Sequence, residues 1–189
     1  GFYRRGLEVT RHQHAISRQR ELFAKALGYD QPRDAPDGGL SLAWYPDQRV
    51  PYVVFLHGTS WPSKEWPERN WIELAHLVQQ DGLVVRLPWG NRREHARAER
   101  IAASSGAQVL PQLGLTAMAT ELAGATRVIG VDTGFAHLAA AIGVPGITLY
   151  GATGVDEFGI QGLRQENLVG DAPCAPCRNR RCQHLSVTG

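Results

Sequence analysis

The sequence predicts an α/β fold in which one doubly wound parallel sheet carries helices on both faces. Three observations predict it. Short apolar runs alternate with amphipathic stretches of about 10 to 15 residues, the rhythm of βαβ units joined by right-handed crossovers. The run Tyr52-Val53-Val54-Phe55-Leu56 is apolar without interruption, as a strand buried on both faces must be. Polar clusters containing glycine follow the apolar runs, where the strands of such a sheet lead into loops and helices.

The elements follow in order. Residues 11–27 place Ala15, Ile16, Leu22, Phe23, Ala26 and Leu27 at helical spacing above a wide polar face, and Gly28 can stop the helix. Residues 30–39 hold two prolines and a Gly-Gly pair and read as a loop. Leu40–Trp44 reads as a strand and Tyr52–Leu56 as the next. Pro67–Gln80 is helical, with Trp71, Leu74, Leu77 and Val78 expected on one face. Leu83–Leu87 is a strand, Arg92–Ser104 a helix and Ala107–Leu110 a short strand. Leu115–Ala123 is a helix that Gly124 can stop, Arg127–Val131 a strand and Phe135–Ile142 a short helix. Gly146–Tyr150 is expected to close the series, because the chain from Gly151 onward is rich in Gly, Pro and polar residues.

Composition narrows the function. The 189 residues are 43% hydrophobic, and a chain of this length buries roughly 70% of the surface its unfolded form exposes, so one core needs no covalent staple. The formal charge is only +2, which argues against a dedicated nucleic-acid binder with a strongly basic face. No uncharged apolar run approaches ~18 residues, the length needed to span a bilayer. The chain opens Gly1-Phe2-Tyr3-Arg4-Arg5 without an initiator methionine and reads as a piece of a longer protein. Eighteen of its 20 basic residues are arginine, so Lys25 and Lys64 stand out; an ammonium on a flexible stem is not equivalent to a guanidinium fork.

Ligands of open parallel sheets bind beyond the carboxyl ends of the strands. The residues at those ends are therefore the candidates. Thr59, Ser60 and Lys64 follow Tyr52–Leu56; two hydroxyls and one ammonium can neutralise a pyrophosphate, or they form a solvated polar loop. Asp132-Thr133-Gly134 ends one strand and opens a helix, where free N–H groups and the helix dipole attract an anion. The alternative is an aspartate that simply caps the helix. His137 lies one turn after Gly134, either as a sugar or phosphate partner or as a core histidine. Glu94 could accept two ribose hydroxyls or could answer the dipole of its own helix. His12, His14, His76 and His95 sit in polar stretches and are expected in solvent. No GxGxxG follows the first buried strand, and neither GxxxxGK[ST] nor GxSxG occurs, which removes dehydrogenase, P-loop and hydrolase readings. Cys174, Cys177 and Cys182 crowd beside His184, as free thiols, metal ligands or a disulfide pair.

Three segments, taken together and in order, resemble the C-terminal half of the lipopolysaccharide heptosyltransferases, the ADP-heptose transferases of glycosyltransferase family 9. They are FLHGTSWPSKEWPERNW (55–71), VRLPWGNRREHARAERIA (85–102) and VIGVDTGFAHLAAAIGVPGITLYGAT (128–153). Within the family they look most like the type I members, and HAISRQRELFAKALGY (14–29) is similar to the segment joining the family's two domains. The resemblance implies one half of a GT-B glycosyltransferase, built of two Rossmann-like domains around a cleft. Residues 1–38 would be the interdomain helix and linker, and 39–189 the donor-binding domain, with the acceptor domain outside this chain. It implies inverting, metal-independent transfer of heptose to the Kdo region of the inner core, with no cofactor. Lys64 would contact the diphosphate, Thr59 and Ser60 the phosphates, Glu94 the ribose, and Leu113 would lie near adenine. Asp132 would bind heptose hydroxyls, Thr133 and Gly134 the phosphates through the helix end, and His137 would support them.

Two departures qualify the likeness. The family's general base is an aspartate of the N-terminal domain, and no position here corresponds to it. The Cys174-x-x-Cys177-x4-Cys182 tail looks more like the type II members. The implied partners are ADP-heptose and a lipid-linked Kdo acceptor, without nucleic acid, in a cytoplasmic protein on the inner face of a membrane. The arginines at 4, 5, 11, 18 and 20 either meet anionic headgroups or form the solvated face of the linking helix. The rival readings are a GT-B transferase using a UDP-sugar, a non-catalytic nucleotide-binding module, and a small zinc domain built on the cysteines. Relative ADP and UDP affinity, the effect of replacing Lys64, and bound metal separate them.

Overall fold

The structure, a computed structural model, describes residues 6–40 and 51–183. Residues 41–44 of the strand expected at Leu40–Trp44 lie outside the described residues, as do Arg4, Arg5 and His184. The described strands form one six-stranded sheet: β1 (Tyr52–Leu56), β2 (Val84–Leu87), β3 (Gln108–Val109), β4 (Arg127–Val131), β5 (Gly146–Tyr150) and β6 (Gln165–Val169). Their order is β3-β2-β1-β4-β5-β6 and every pairing is parallel. The doubly wound α/β expectation is met.

The chain leaves β1 in one direction for β2 and β3 and later returns to β1's other side as β4. The register there pairs Val54 with Val128 and Leu56 with Gly130. This reversal separates the crossovers after β1 and β4, opening a crevice at their carboxyl ends.

Alternation along β1 divides the core. Tyr52, Val54 and Leu56 pack with Met118 and Leu122 of α4 (Leu115–Ala123) and with Ala136, Ala139 and Ile142 of α5 (Gly134–Ile142). Val53 and Phe55 face the other way, against Trp71 and Ala75 of α2 (Glu68–Gln80) and Ala98 and Ile101 of α3 (Arg92–Ser105). Trp71 is fully buried, with ring centroids 5.1 Å from both Phe55 and Trp66. Truncating it would cost about 3–5 kcal/mol.

Several expectations need correction. Leu77 does not share the buried face of α2; it is 59% exposed, because it lies about 120° around the helix from the Trp71–Ala75–Val78 seam. β5 does not close the series, since β6 pairs along its whole length from Gly146↔Gln165 to Tyr150↔Val169. The sequence of β6, Gln-Glu-Asn-Leu-Val, is half polar because an edge strand faces solvent. A short helix, α6 (Val155–Phe158), lies between them. The N-terminal helix α1 (Ala15–Leu27) is present, but Ala24 is its one buried residue, and Phe23 and Leu27 are exposed. Gly28 ends it in the left-handed conformation, φ 76°. His14, expected in solvent, instead caps this helix: its Nδ1 accepts from Ile16 N at 3.2 Å and its Nε2 lies 2.9 Å from the Gly159 carbonyl. Both bonds are met by the neutral tautomer that carries its proton on Nε2. Among the described residues, no helix is long and apolar enough to cross a membrane.

Candidate functional site

The loop after β1 carries His57, Gly58, Thr59 and Ser60, then a 3₁₀ turn at Pro62–Lys64. That turn directs Lys64 back toward the end of β4. Its Nζ lies 2.7 Å from Asp132 Oδ2, and the two side chains are 14% and 9% exposed. The same Oδ2 accepts the Thr153 hydroxyl at 2.7 Å. His137 Nε2 stands 4.0 Å from the other oxygen, Oδ1. Burial holds the His137 imidazole below its ordinary pKa, while Asp132 opposes the shift. Thr59 is buried and its hydroxyl donates to the Asp132 carbonyl at 3.2 Å. One aspartate thus gathers Thr59, Lys64, Thr153 and His137 from two loops and a helix.

Asp132 is not a helix cap. Thr133 occupies the cap position of α5 without a side-chain bond, and Gly134, the first helical residue, is exposed. The positive end of α5 therefore faces the crevice, one residue from Asp132. Ser60, in the loop after β1, is exposed. Thr59, already pinned to backbone, differs from Ser60, whose hydroxyl sits at the surface.

Glu94 lies on the first turn of α3, whose N-cap is Asn91; Asn91 Oδ1 accepts from Glu94 N at 3.0 Å. The Glu94 carboxylate turns back to accept from Gly90 N at 2.8 Å. Gly58 makes room for it: a Cβ there would come 2.8 Å from Glu94 Cδ. Glu94, Gly58, Trp89, Leu113, Thr133 and Phe135 line a cleft of about 60 Å³. The cleft sits at the β1/β4 reversal. Two broader hollows, of about 1000 and 830 Å³, lie against α1 and residues 30–40; of the residues expected to bind the donor, His137 alone lines one of them, and Arg20 lines both. Of the polar candidates, Glu94 and Thr133 line this cleft, whereas Lys64, Thr59 and His137 gather on Asp132 at the neighbouring strand end.

Three features were missed by sequence reasoning. Thr153 follows β5, in the right place for a ligand residue, but nothing in its neighbours distinguishes it from a turn threonine. His57 is fully buried with no hydrogen-bond partner at either ring nitrogen, and burial, followed by the charge of Arg97, pushes its pKa down to about 4. The cysteine-bearing segment also packs against the Lys64 loop. Ser63 Oγ donates to the Asn179 carbonyl at 2.5 Å, Ser63 N to Arg180 O at 3.3 Å, and Arg178 N to Ala152 O at 2.8 Å. Two cations approach the Trp61 ring, Lys64 Nζ at 4.7 Å and the Arg180 guanidinium at 5.5 Å from its centroid. Cys174 is exposed and Cys177 and Cys182 are half-buried; all three are free thiols, and among the described residues no three His, Cys, Asp or Glu side chains converge as a metal site. His95, also expected in solvent, is half-buried, its ring 4.3 Å from that of Trp89.

Comparison with known proteins shows the family. The sequence profile described as Glycosyltransferase family 9 (heptosyltransferase) matches residues 1–187. Lipopolysaccharide heptosyltransferase 1 of Pseudomonas aeruginosa is 47% identical over 186 residues, which is 97% of this chain and 52% of that protein. The structure of E. coli heptosyltransferase WaaC with ADP is 41% identical, with a TM-score of 0.78 over 89% of this chain and 54% of that one. The same enzyme with ADP-2-deoxy-2-fluoro heptose gives a TM-score of 0.73, covering 91% and 54% of the two chains. The chain spans about half the length of these relatives. The parallel sheet shares the GT-B fold of these heptosyltransferase structures, and the chain is a member of glycosyltransferase family 9, the heptosyltransferases.

Proposed function

We propose that this chain is the donor-binding half of a lipopolysaccharide heptosyltransferase, holding ADP-heptose at the β1/β4 crevice. Residues 39–189 form the nucleotide-sugar domain, and residues 1–38 link it to an acceptor domain. The observation that carries this reading is the Lys64–Asp132 pair beside the open N-terminus of α5. A carboxylate repels phosphate and accepts sugar hydroxyls; an ammonium does the reverse. Their 2.7 Å separation marks where a sugar joins a diphosphate. Thr133 and Gly134 present the helix end to the phosphates, joined by Ser60 and by Thr59, whose hydroxyl exchanges the Asp132 carbonyl for a phosphate oxygen. Glu94 takes the ribose hydroxyls, Leu113 and Phe135 flank the adenine, and His137 supports Asp132.

The reaction follows from that placement. An acceptor hydroxyl of the Kdo region attacks the anomeric carbon from the face opposite the diphosphate, inverting it as the bond to the β-phosphate oxygen breaks. The acceptor's proton passes to a base carried by the acceptor domain. Lys64 and the α5 dipole stabilise the charge developing on ADP, so leaving-group departure calls for no metal. The enzyme would work on the cytoplasmic side of the inner membrane, where its lipid-linked acceptor is presented.

Heptose transfer to a Kdo-bearing acceptor tests this, with ADP-heptose binding measured in parallel. The 189-residue chain should bind ADP-heptose and transfer no heptose until an acceptor domain is joined to it. Full transfer by this chain alone, or no binding of the donor, contradicts the reading.

A further inference from the structure

The loop that delivers Lys64 has little regular structure of its own, only the single 3₁₀ turn closed by Lys64 N to Trp61 O at 3.0 Å and Glu65 N to Pro62 O at 3.1 Å. What fixes it from behind is α3. Arg97 is a buried arginine on that helix, its side chain 7% exposed. Its Nη2 donates to the Trp66 carbonyl, and its Nη1 lies 2.8 Å from Glu65 Oε2. Arg93, one turn earlier, takes the other oxygen of Glu65 at 2.5 Å. Arg100, one turn later, holds Glu68 through two bonds of 3.0 and 2.6 Å. The three arginines occupy one face of α3 and grip the segment between Lys64 and the start of α2.

Resting on the donor-site reading above, we propose that Arg97 is the positioning residue for Lys64. It touches no candidate ligand group itself. Its planar fork fixes the backbone at Trp66 and the carboxylate at Glu65, the residue directly after Lys64, so that the ammonium is aimed at the crevice before a ligand arrives. Glu94 lies one turn before Arg97 on the same helix, at the cleft wall. One rigid element therefore sets the spacing between the carboxylate expected on the ribose and the cation expected on the diphosphate.

A purely architectural arginine would alter folding, or would weaken the whole site evenly. A positioning residue loses its effect once the group it positions is gone. The test is a double-mutant cycle on the 189-residue chain, reading ADP affinity by calorimetry for wild type, Arg97→Gln, Lys64→Ala and the double variant. Arg97→Gln should weaken ADP about fivefold when Lys64 is present, and less than about twofold in the Lys64→Ala background. Equal losses in both backgrounds, or no loss in either, overturn the proposal while leaving the donor site standing. If Lys64→Ala itself leaves ADP affinity unchanged, the donor-site reading fails and this one falls with it. Should Arg97→Gln lose its circular-dichroism signature of folding, Glu65→Gln opens the same clamp from the other side and is held to the same two outcomes.

Discussion

Lys64 Nζ and Asp132 Oδ2 meet 2.7 Å apart across the reversal of the sheet, each delivered by a different loop and each largely withdrawn from solvent. Thr153 binds the same carboxylate oxygen, so the aspartate keeps a partner when the lysine turns to another anion. A diphosphate would draw the ammonium away from Asp132 at the cost of that ion pair, and the carboxylate would be left free to accept sugar hydroxyls. Replacing either member should therefore separate the two halves of the donor. Lys64→Ala is expected to weaken ADP about 10- to 100-fold, the range of one charge-assisted contact. Asp132→Asn should leave ADP within about threefold of wild type and weaken ADP-heptose by about tenfold or more. Calorimetric titration of the four combinations checks this; equal losses of ADP in both variants would show that the two residues do not divide the ligand.

Thr153 should matter for stability. Thr153→Val removes the one hydroxyl bonded to Asp132 Oδ2 at unchanged volume and should cost about 1 kcal/mol, read as a lower urea midpoint. An unchanged midpoint would mean that Lys64 alone satisfies the carboxylate.

Gly58 and Glu94 form a second pair, at the nucleoside end. Gly58→Ala places a Cβ 2.8 Å from Glu94 Cδ, so the carboxylate must move away from Gly90. Both Gly58→Ala and Glu94→Ala should weaken ADP about tenfold and leave inorganic pyrophosphate unaffected, because the loss falls on the ribose contact. Competition binding with the two ligands distinguishes this from a general collapse of the cleft, which would weaken both.

His57 makes stability depend on pH. Its folded pKa of about 4 lies below the ordinary 6.5 because the buried ring cannot easily take a charge beside Arg97. Between these values the unfolded chain binds a proton that the folded one refuses, so stability is fully present above about pH 6.5 and falls as the pH drops toward 4. The loss across that window is about 3 kcal/mol. His137, also shifted downward by burial, adds in the same direction. Urea unfolding of wild type and His57→Leu at several pH values tests the assignment: the variant should show a markedly flatter slope over this window.

Much of this was legible in the sequence for a physical reason. Strands buried on both faces must be apolar, so Tyr52–Leu56 and, after the exposed Arg127, Val128–Val131 announce themselves, and a parallel sheet then puts Lys64, Glu94 and Asp132 at one end of the molecule. What stayed hidden depends on contacts between residues far apart in the chain. The edge strand Gln165–Val169 has solvent on one side and lacks an apolar signature. His14 reads as a solvated residue until Gly159, 145 positions away, supplies its partner. Thr153 acquires meaning only from Asp132, and the segment 174–183 only from Ser63 and Trp61. Leu77 fails for a different reason: four apolar residues on a two-faced helix outnumber the seam that receives them.

The central claim is that the crevice at the ends of β1 and β4 holds an adenine nucleotide diphosphate. Titrating the 189-residue chain with ADP and with UDP by calorimetry tests it most directly. The account predicts one ADP bound per chain, at least about tenfold tighter than UDP, because the cleft walled by Leu113 and Phe135 receives the base while Lys64 treats the two diphosphates alike. Equal or tighter binding of UDP would contradict it.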